Sequence, residues 1–292
     1  SMPPPSSGGI AIQQVFGLLD RFDGLKGEFP QDSPLWRHLL IESFKHAFAD
    51  RARWLADDAF APVPSDRLTS SAYLDSLAAR VNPIATHATE TYGSAPQLPA
   101  DHGTSHVSVI DANGMAVGCS ETINLHWGSC VEVPGFGFLL NDEMDDFTTS
   151  SEPNAYGLVQ SDRNRPEPGK RPLSSMCPTI VLENGAPVAI AGASGGPRII
   201  SGTIQVLLSA LVFGVDAGQA VARPRLHHQW QPDEVRVETS WTDDTTLEGL
   251  RERGHHLVRY EKPVGVVQAI VVRDGKITAA SDPRKGGRPA GR

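Results

Sequence analysis

From Leu35 onward, apolar residues recur at the three-and-four spacing of one helix face: Leu35, Leu39, Leu40, Phe44, Ala47, Phe48 and Leu55. Arg37, Lys45, Arg51 and Arg53 fall largely off that stripe. Ser33-Pro34 supplies a capping hydroxyl and a proline at the first helical position, so a long helix is predicted to start there. Shorter helices are predicted over about residues 10–19 and 70–80. Between Asn82 and Gly103 the periodicity disappears, and Pro83, Pro96 and Pro99 stand among scattered Thr, Ser and Ala, the pattern of a long exposed connector. From Thr104 the period becomes alternating, with Val107 and Val109 out of phase with Ser108. The turn Asp111-Ala112-Asn113-Gly114 follows, and then a returning strand over 115–123. The same grammar recurs over 179–182 and 188–191 around Glu183-Asn184-Gly185, and over 266–273 ahead of Asp274-Gly275. Helical segments near 199–213, 217–222 and 245–253 interleave with these strands. Hairpins imply antiparallel sheet, so an α+β layered sandwich is expected rather than a parallel doubly wound sheet.

Composition narrows the classes of function. A chain of 292 residues, 39% hydrophobic and 21% charged, supports a sizeable core and excludes disorder as the default. No apolar run approaches the roughly 18–20 residues of a membrane-spanning helix. With 26 basic against 34 acidic residues the formal charge is −8, which argues against nucleic acid or an anionic membrane as the main partner. A small molecule or a protein is left. Cys119, Cys130 and Cys177 show no C-x-x-C spacing, so neither a disulfide framework nor a zinc module is signalled. The opening residues 1–9 carry no basic or apolar signal-peptide region.

Several constellations could carry chemistry. Gly192-Ala193-Ser194-Gly195-Gly196 matches G-x-S-x-G, with Asp216 and then His227 or His228 in the chain order of a serine hydrolase. Such an elbow needs a parallel sheet before it, whereas the preceding strands read as hairpins. The same residues also fit a tight strand-to-helix turn, or a pair of glycine amides donating to an oxyanion. Thr104 opens a strand. Its hydroxyl becomes a competent nucleophile if its own α-amine serves as base, which requires cleavage of the Gly103–Thr104 bond. Asn141-Asp142-Glu143-Met144-Asp145-Asp146-Phe147 fits a solvated turn, a cation site or a clamp for an ammonium group. Because the EF-hand spacing is missing, the metal reading weakens. Ser174-Ser175 offers paired hydroxyls on a proline-bounded bend. His227-His228 lacks the i, i+4 spacing of helical zinc sites and reads as structural.

Taken together, six stretches closely resemble the γ-glutamyltranspeptidases, members of the N-terminal-nucleophile hydrolases. They are Met2 to Gly9, Thr104 to Asp111, Leu140 to Phe147, Pro172 to Thr179, Gly192 to Gly196 and Pro224 to Gln229, and Ala280 to Gly287 resembles the family's C-terminus. The resemblance implies a four-layer αββα sandwich and a precursor that cuts itself before a threonine into a large and a small subunit. Residues 1–103 would then be the C-terminal part of the large subunit and 104–292 the small subunit. Thr104 would be the nucleophile, with Thr122 orienting it and Gly195 and Gly196 forming the oxyanion hole. Asn124, Glu143 and Asp146 would hold the α-amino and α-carboxylate ends of a glutamyl group. Ser174 and Ser175 would bind its α-carboxylate, and Tyr156 would be a lid residue closing on Asn124.

The activity implied is cleavage of γ-glutamyl amides such as glutathione through a threonine ester, with water or an amino acid as acceptor. Neither cofactor nor metal enters it, and a periplasmic or extracellular location follows family habit. Family chains run to about twice this length. Their upstream half includes an arginine that pairs with the substrate carboxylate, and no residue here matches it. Ser1-Met2 is therefore expected to be an internal point of a longer precursor, and Ser105 stands where a threonine is common. Three alternatives make different predictions: a serine hydrolase using Ser194, a related acylase acting on a β-lactam side chain, and a truncated or unprocessed paralogue without catalysis.

Overall fold

A computed structural model describes residues 1–93, 103–148 and 161–291. The helical start and the hairpins form as the pattern predicts. Helix α1 (Gly8–Arg21) leads to α2 (Pro34–Trp54), whose cap is Ser33 accepting from Trp36 N. Two short helices follow, α3 (Ser65–Leu68) and α4 (Ser71–Ala78), the latter capped by Ser70.

Charge on α2 departs from the one-stripe expectation. Arg37, Lys45 and Arg51 are as buried as the leucines, at 1–2% exposure. Each is matched inside: Arg37 to Asp32 and Gln205, Lys45 to Asp233 and Thr86, Arg51 to Ser7 and Ser175. Buried charge is tolerated where hydrogen bonds replace water, and here they do so in large part, leaving Arg37 Nε and Arg51 Nη1 without a hydrogen-bond partner among the described residues. The connector also departs from expectation over its first part. Residues 82–93 are docked, with Thr86 N bonded to Arg253 O and the Trp230 indole donating to Thr89 O.

Strands β1 (Thr104–Ile110) and β2 (Ala116–Thr122) form the predicted hairpin. Strands β3 (Thr179–Glu183), β4 (Ala186–Ser194), β8 (Val266–Arg273) and β9 (Lys276–Ser281) make an antiparallel sheet in the order β3-β4-β8-β9. Alternation assigns its two faces. Ala189, Ala191, Ala193, Val267, Ala269 and Val271 join the main core beneath α5 (Arg198–Leu211) and α6 (Ala217–Ala222). The opposite face carries Ile190, Gly192 and Ser194 and packs against the hairpin. Helices, sheet and hairpin thus stack as α, β, β. The hairpin's outer face leaves Val107, Val109 and Val117 about half exposed.

A third sheet lies beside these layers and escapes the periodicity. It consists of β5 (Leu226–His227), β6 (Val235–Glu238) and β7 (Leu257–Tyr260), with β6 and β7 parallel across α7 (Asp244–Glu252). The purely antiparallel expectation is corrected to that extent. Among the described residues no helix is long and apolar enough to cross a membrane.

Candidate active site

The turn at Asp111–Gly114 fixes the hairpin register, and that register places Thr104 opposite Thr122. Their hydroxyl oxygens lie 3.0 Å apart. Thr104 is 5% exposed and lines a cavity of about 720 Å³ with Gly103, Thr122, His126 and Ser194. A larger cleft of about 980 Å³ runs along β1 and β8; Asn124, Glu143, Asp146, Ser174 and Ser175 line neither it nor the cavity at Thr104.

From Thr122 a series of hydrogen bonds and electrostatic neighbours leads away from Thr104. Thr122 Oγ1 accepts from Asn124 N at 2.9 Å, and the Glu143 carboxyl lies near enough for Thr122 to favour its ionised form. Asn124, in the left-handed region at φ 66°, donates its side-chain amide to Asp142 O at 3.3 Å. Burial and the neighbouring Asp142 raise the Glu143 carboxyl, against the pull of Thr122. Asp146, 8% exposed, is pushed up to about 7 by burial and by Glu143, while the Arg51 guanidinium pulls it down. Arg51 in turn donates to Ser175 Oγ at 3.3 Å. Ser174 is tied into the same corner: Ser7 N and Ser7 Oγ both reach Ser174 O, at 2.9 and 2.8 Å.

Strand β4 ends at Ser194, and α5 starts four residues later. Gly195 and Gly196 make the turn at φ 132° and 57°, conformations that L side chains rarely adopt. Their carbonyls accept from the first amides of α5, Arg198 N and Ile199 N. The turn therefore lies at the positive end of the helix dipole, where a developing negative charge is stabilised.

A family model described as gamma-glutamyltranspeptidase matches residues 1–292. The chain belongs to the γ-glutamyltranspeptidase family. It is 39% identical over 287 residues to a glutathione hydrolase proenzyme of Escherichia coli, a match covering 97% of this chain and 49% of the relative. Against a glutathione hydrolase proenzyme of Pseudomonas aeruginosa it is 43% identical, covering 97% and 51%. The chain thus spans about half the length of the curated relatives it matches. A solved Helicobacter pylori gamma-glutamyltranspeptidase variant is 42% identical at a TM-score of 0.59, covering 62% of this chain and 99% of that one. A cephalosporin acylase from Bacillus halodurans, 23% identical, matches 98% of this chain and 49% of its own at a TM-score of 0.80, a likeness of fold alone. The fold is an α+β sandwich of the N-terminal-nucleophile hydrolase type, and of the expected αββα arrangement the described residues supply the layers α, β, β.

Within this γ-glutamyltranspeptidase frame the serine-hydrolase alternative loses its partners. Asp216 spends its carboxylate capping α6 through Gln219 N. His227 bonds Ser201 and Gln229, and His228 bonds Asp233 and Trp230 N. Both imidazoles are fully buried, and burial lowers both well away from a charged form. Tyr156 lies outside the described residues.

One group could be mistaken for a metal site. His38, Glu42 and His255 bring ligand atoms within 4.8 Å of one another. His38 Nδ1 and His255 Nε2, however, are 2.7 Å apart, a hydrogen-bond distance, whereas two nitrogens on one tetrahedral zinc stand roughly 3.3 Å apart. Glu42 accepts from the Thr86 and Tyr92 hydroxyls, so the cluster is closed on itself.

The sequence reading missed Arg51. Its position, seven after Phe44 and three after Phe48, puts it on the apolar stripe rather than off it, and an arginine on a core face signals a buried partner.

Proposed function

We propose that this chain carries the nucleophile and the acyl pocket of a γ-glutamyl hydrolase and transferase, maturing by cleavage between Gly103 and Thr104. The observation that carries it is the Thr104 hydroxyl, 3.0 Å from Thr122 Oγ1, lining a cavity that also reaches Ser194, the residue before the Gly195-Gly196 turn. In the precursor the Thr104 hydroxyl adds to the Gly103 carbonyl carbon, the amide becomes an ester, and water releases the Gly103 carboxylate and a free Thr104 amine. Gly103 O already accepts from Ile123 N at 3.3 Å, a bond that polarises that carbonyl.

In the mature enzyme the freed amine takes the hydroxyl proton as Thr104 Oγ1 attacks the donor's γ-carbonyl. Gly195 and Gly196 N–H groups receive the oxyanion. On collapse the amine's proton goes to the departing amine, leaving a γ-glutamyl ester that water or an amino acid's amine resolves. Glu143 and Asp146 match the donor's ammonium, and Ser174 and Ser175 match its α-carboxylate. A desolvated zwitterion needs both partners.

The division into 1–103 and 104–292 is supported by coverage. Solved γ-glutamyltranspeptidase chains of 41–42% identity match 62–64% of this chain yet 97–99% of their own. Residues 104–292 are 189 of the 292. The test is intact mass and turnover of the full-length precursor with a chromogenic γ-glutamyl anilide. Two polypeptides divided at Gly103/Thr104 are expected, with Thr104→Ala leaving one inactive chain and Ser194→Ala still cleaved. An uncut precursor, or activity that survives Thr104→Ala, overturns the reading. A preference for a glutaryl over a γ-glutamyl anilide would make it an acylase.

A further inference from the structure

Each of the two serines assigned above to a carboxylate already accepts one hydrogen bond. Met176 N donates to Ser174 Oγ at 3.1 Å, and Arg51 Nη2 donates to Ser175 Oγ at 3.3 Å. Neither an amide N–H nor a guanidinium can accept, so each serine keeps its own proton to donate outward. A carboxylate, which only accepts, is the ligand such a pair suits.

Arg51 organises more than one of them. Its Nη2 also reaches Leu173 O at 3.4 Å, and its Nε donates to Ser7 Oγ at 3.1 Å. Ser7 Oγ then passes its own proton to Ser174 O at 2.8 Å. One guanidinium thereby holds the bend at Leu173 and Ser175 directly and at Ser174 through a relay. The side chain is 1% exposed, and its Nη1 has no hydrogen-bond partner among the described residues. Such an unspent buried donor is expensive unless an anion is to come near.

We propose that Arg51 is the positioning residue for the carboxylate end of the acyl pocket: it fixes both serine hydroxyls as proton donors and sets a buried positive charge behind the anion they receive. The proposal rests on the γ-glutamyl reading. Arg51 acts through Ser7 and Ser175 and is not itself assigned to touch substrate. It belongs to α2, ahead of the cleavage point, and so brings the first polypeptide into a pocket otherwise built largely from the second.

The experiment uses the full-length precursor and compares inhibition by L-glutamate with inhibition by 4-aminobutanoate, which lacks only the α-carboxylate. In Arg51→Met the inhibition constant for L-glutamate and the KM for the γ-glutamyl anilide should rise roughly 10- to 100-fold, as for the loss of hydrogen bonds to a charged group. The constant for 4-aminobutanoate, and kcat, should move clearly less, the remaining shift coming from Asp146, which loses the pull of the Arg51 charge. Ser7→Ala should give a smaller shift of the same pattern, and Arg51→Lys, which keeps the charge but not the fork, should fall between Arg51→Met and the parent. Should Arg51→Met fail to mature into two chains, Ser7→Ala and Arg51→Lys decide. An equal shift for both inhibitors, or none, overturns the proposal. Absence of γ-glutamyl turnover in the parent enzyme instead overturns the reading beneath it.

Discussion

At Asp146 two requirements collide. Pairing with an ammonium group needs the ionised carboxylate, whereas burial and the adjacent Glu143 favour the neutral acid and push it up to about 7. An acid raised in this way is protonated below about pH 7, so donor binding should weaken as pH falls through that value. The expected result is an acid-side loss of kcat/KM steeper than unit slope in the parent, where Asp146 and the Thr104 amine both have to lose a proton, falling to unit slope in Asp146→Asn, itself reduced roughly 10- to 100-fold at pH 8. Stability should show the opposite sign. The folded state holds the proton more tightly than the unfolded chain, whose carboxyl titrates near 4, so the contribution of Asp146 to stability falls between about pH 4 and 7 and is then flat. Thermal melts of Asp146→Asn should lack that fall. His106, pushed down to about 4 by burial, is neutral near pH 7 and does not supply the kinetic inflection, while its own contribution to stability rises as pH climbs from about 4 to the ordinary imidazole value.

Strands β1 and β4 meet where a side chain is missing. A Cβ on Gly192 would lie 2.3 Å from His106 Cε1, and that ring cannot swing away because Ser120 and Ser108 bond its two nitrogens at 2.8 and 3.0 Å. Gly192→Ala should therefore destabilise by about 1–3 kcal/mol in urea unfolding, and Gly192→Ala with His106→Ala should recover part of it. If the two losses simply add, the strands are not interlocked there. The hairpin itself is legible in sequence because its information is local. Once Asp111–Gly114 is the turn, antiparallel register alone brings Thr104 to Thr122. The third sheet is not legible: its strands are two to four residues long, and β6 finds β7 only across α7. The buried charges of α2 are hidden for a related reason. Lys45, Arg37 and Arg51 take partners at Asp233, Gln205 and Ser175, more than a hundred positions away, and no local pattern encodes those meetings. Ser174 and Ser175 were visible as a pair of hydroxyls, but the direction of their protons depends on Met176 N and on Arg51, which only the folded chain brings together.

Across the whole molecule the Gly103–Thr104 bond divides the sequence but not the core. One hydrophobic cluster draws on Val15, Trp36, Phe44 and Phe48 before that bond and on Ala191, Ile204, Leu207 and Val267 after it. Trp36 meets Phe213 edge-on with ring centroids 5.0 Å apart, and His38 bonds His255 across the same boundary. Cleaved fragments should therefore stay together, eluting as one species in native gel filtration and separating only in denaturant. Trp36→Ala would remove that ring contact and the indole bond to Gly24 O at 3.0 Å, at a cost of about 3–5 kcal/mol. Its urea midpoint should drop with little change in slope. Because Arg51 lies on one side of that bond and Ser175 on the other, the carboxylate end proposed for the pocket would itself be part of the fragments' interface. Activity of Trp36→Ala should then be lost over the same urea range in which the fragments come apart. Loss of activity well before separation would place the weak point in the pocket rather than in the shared core.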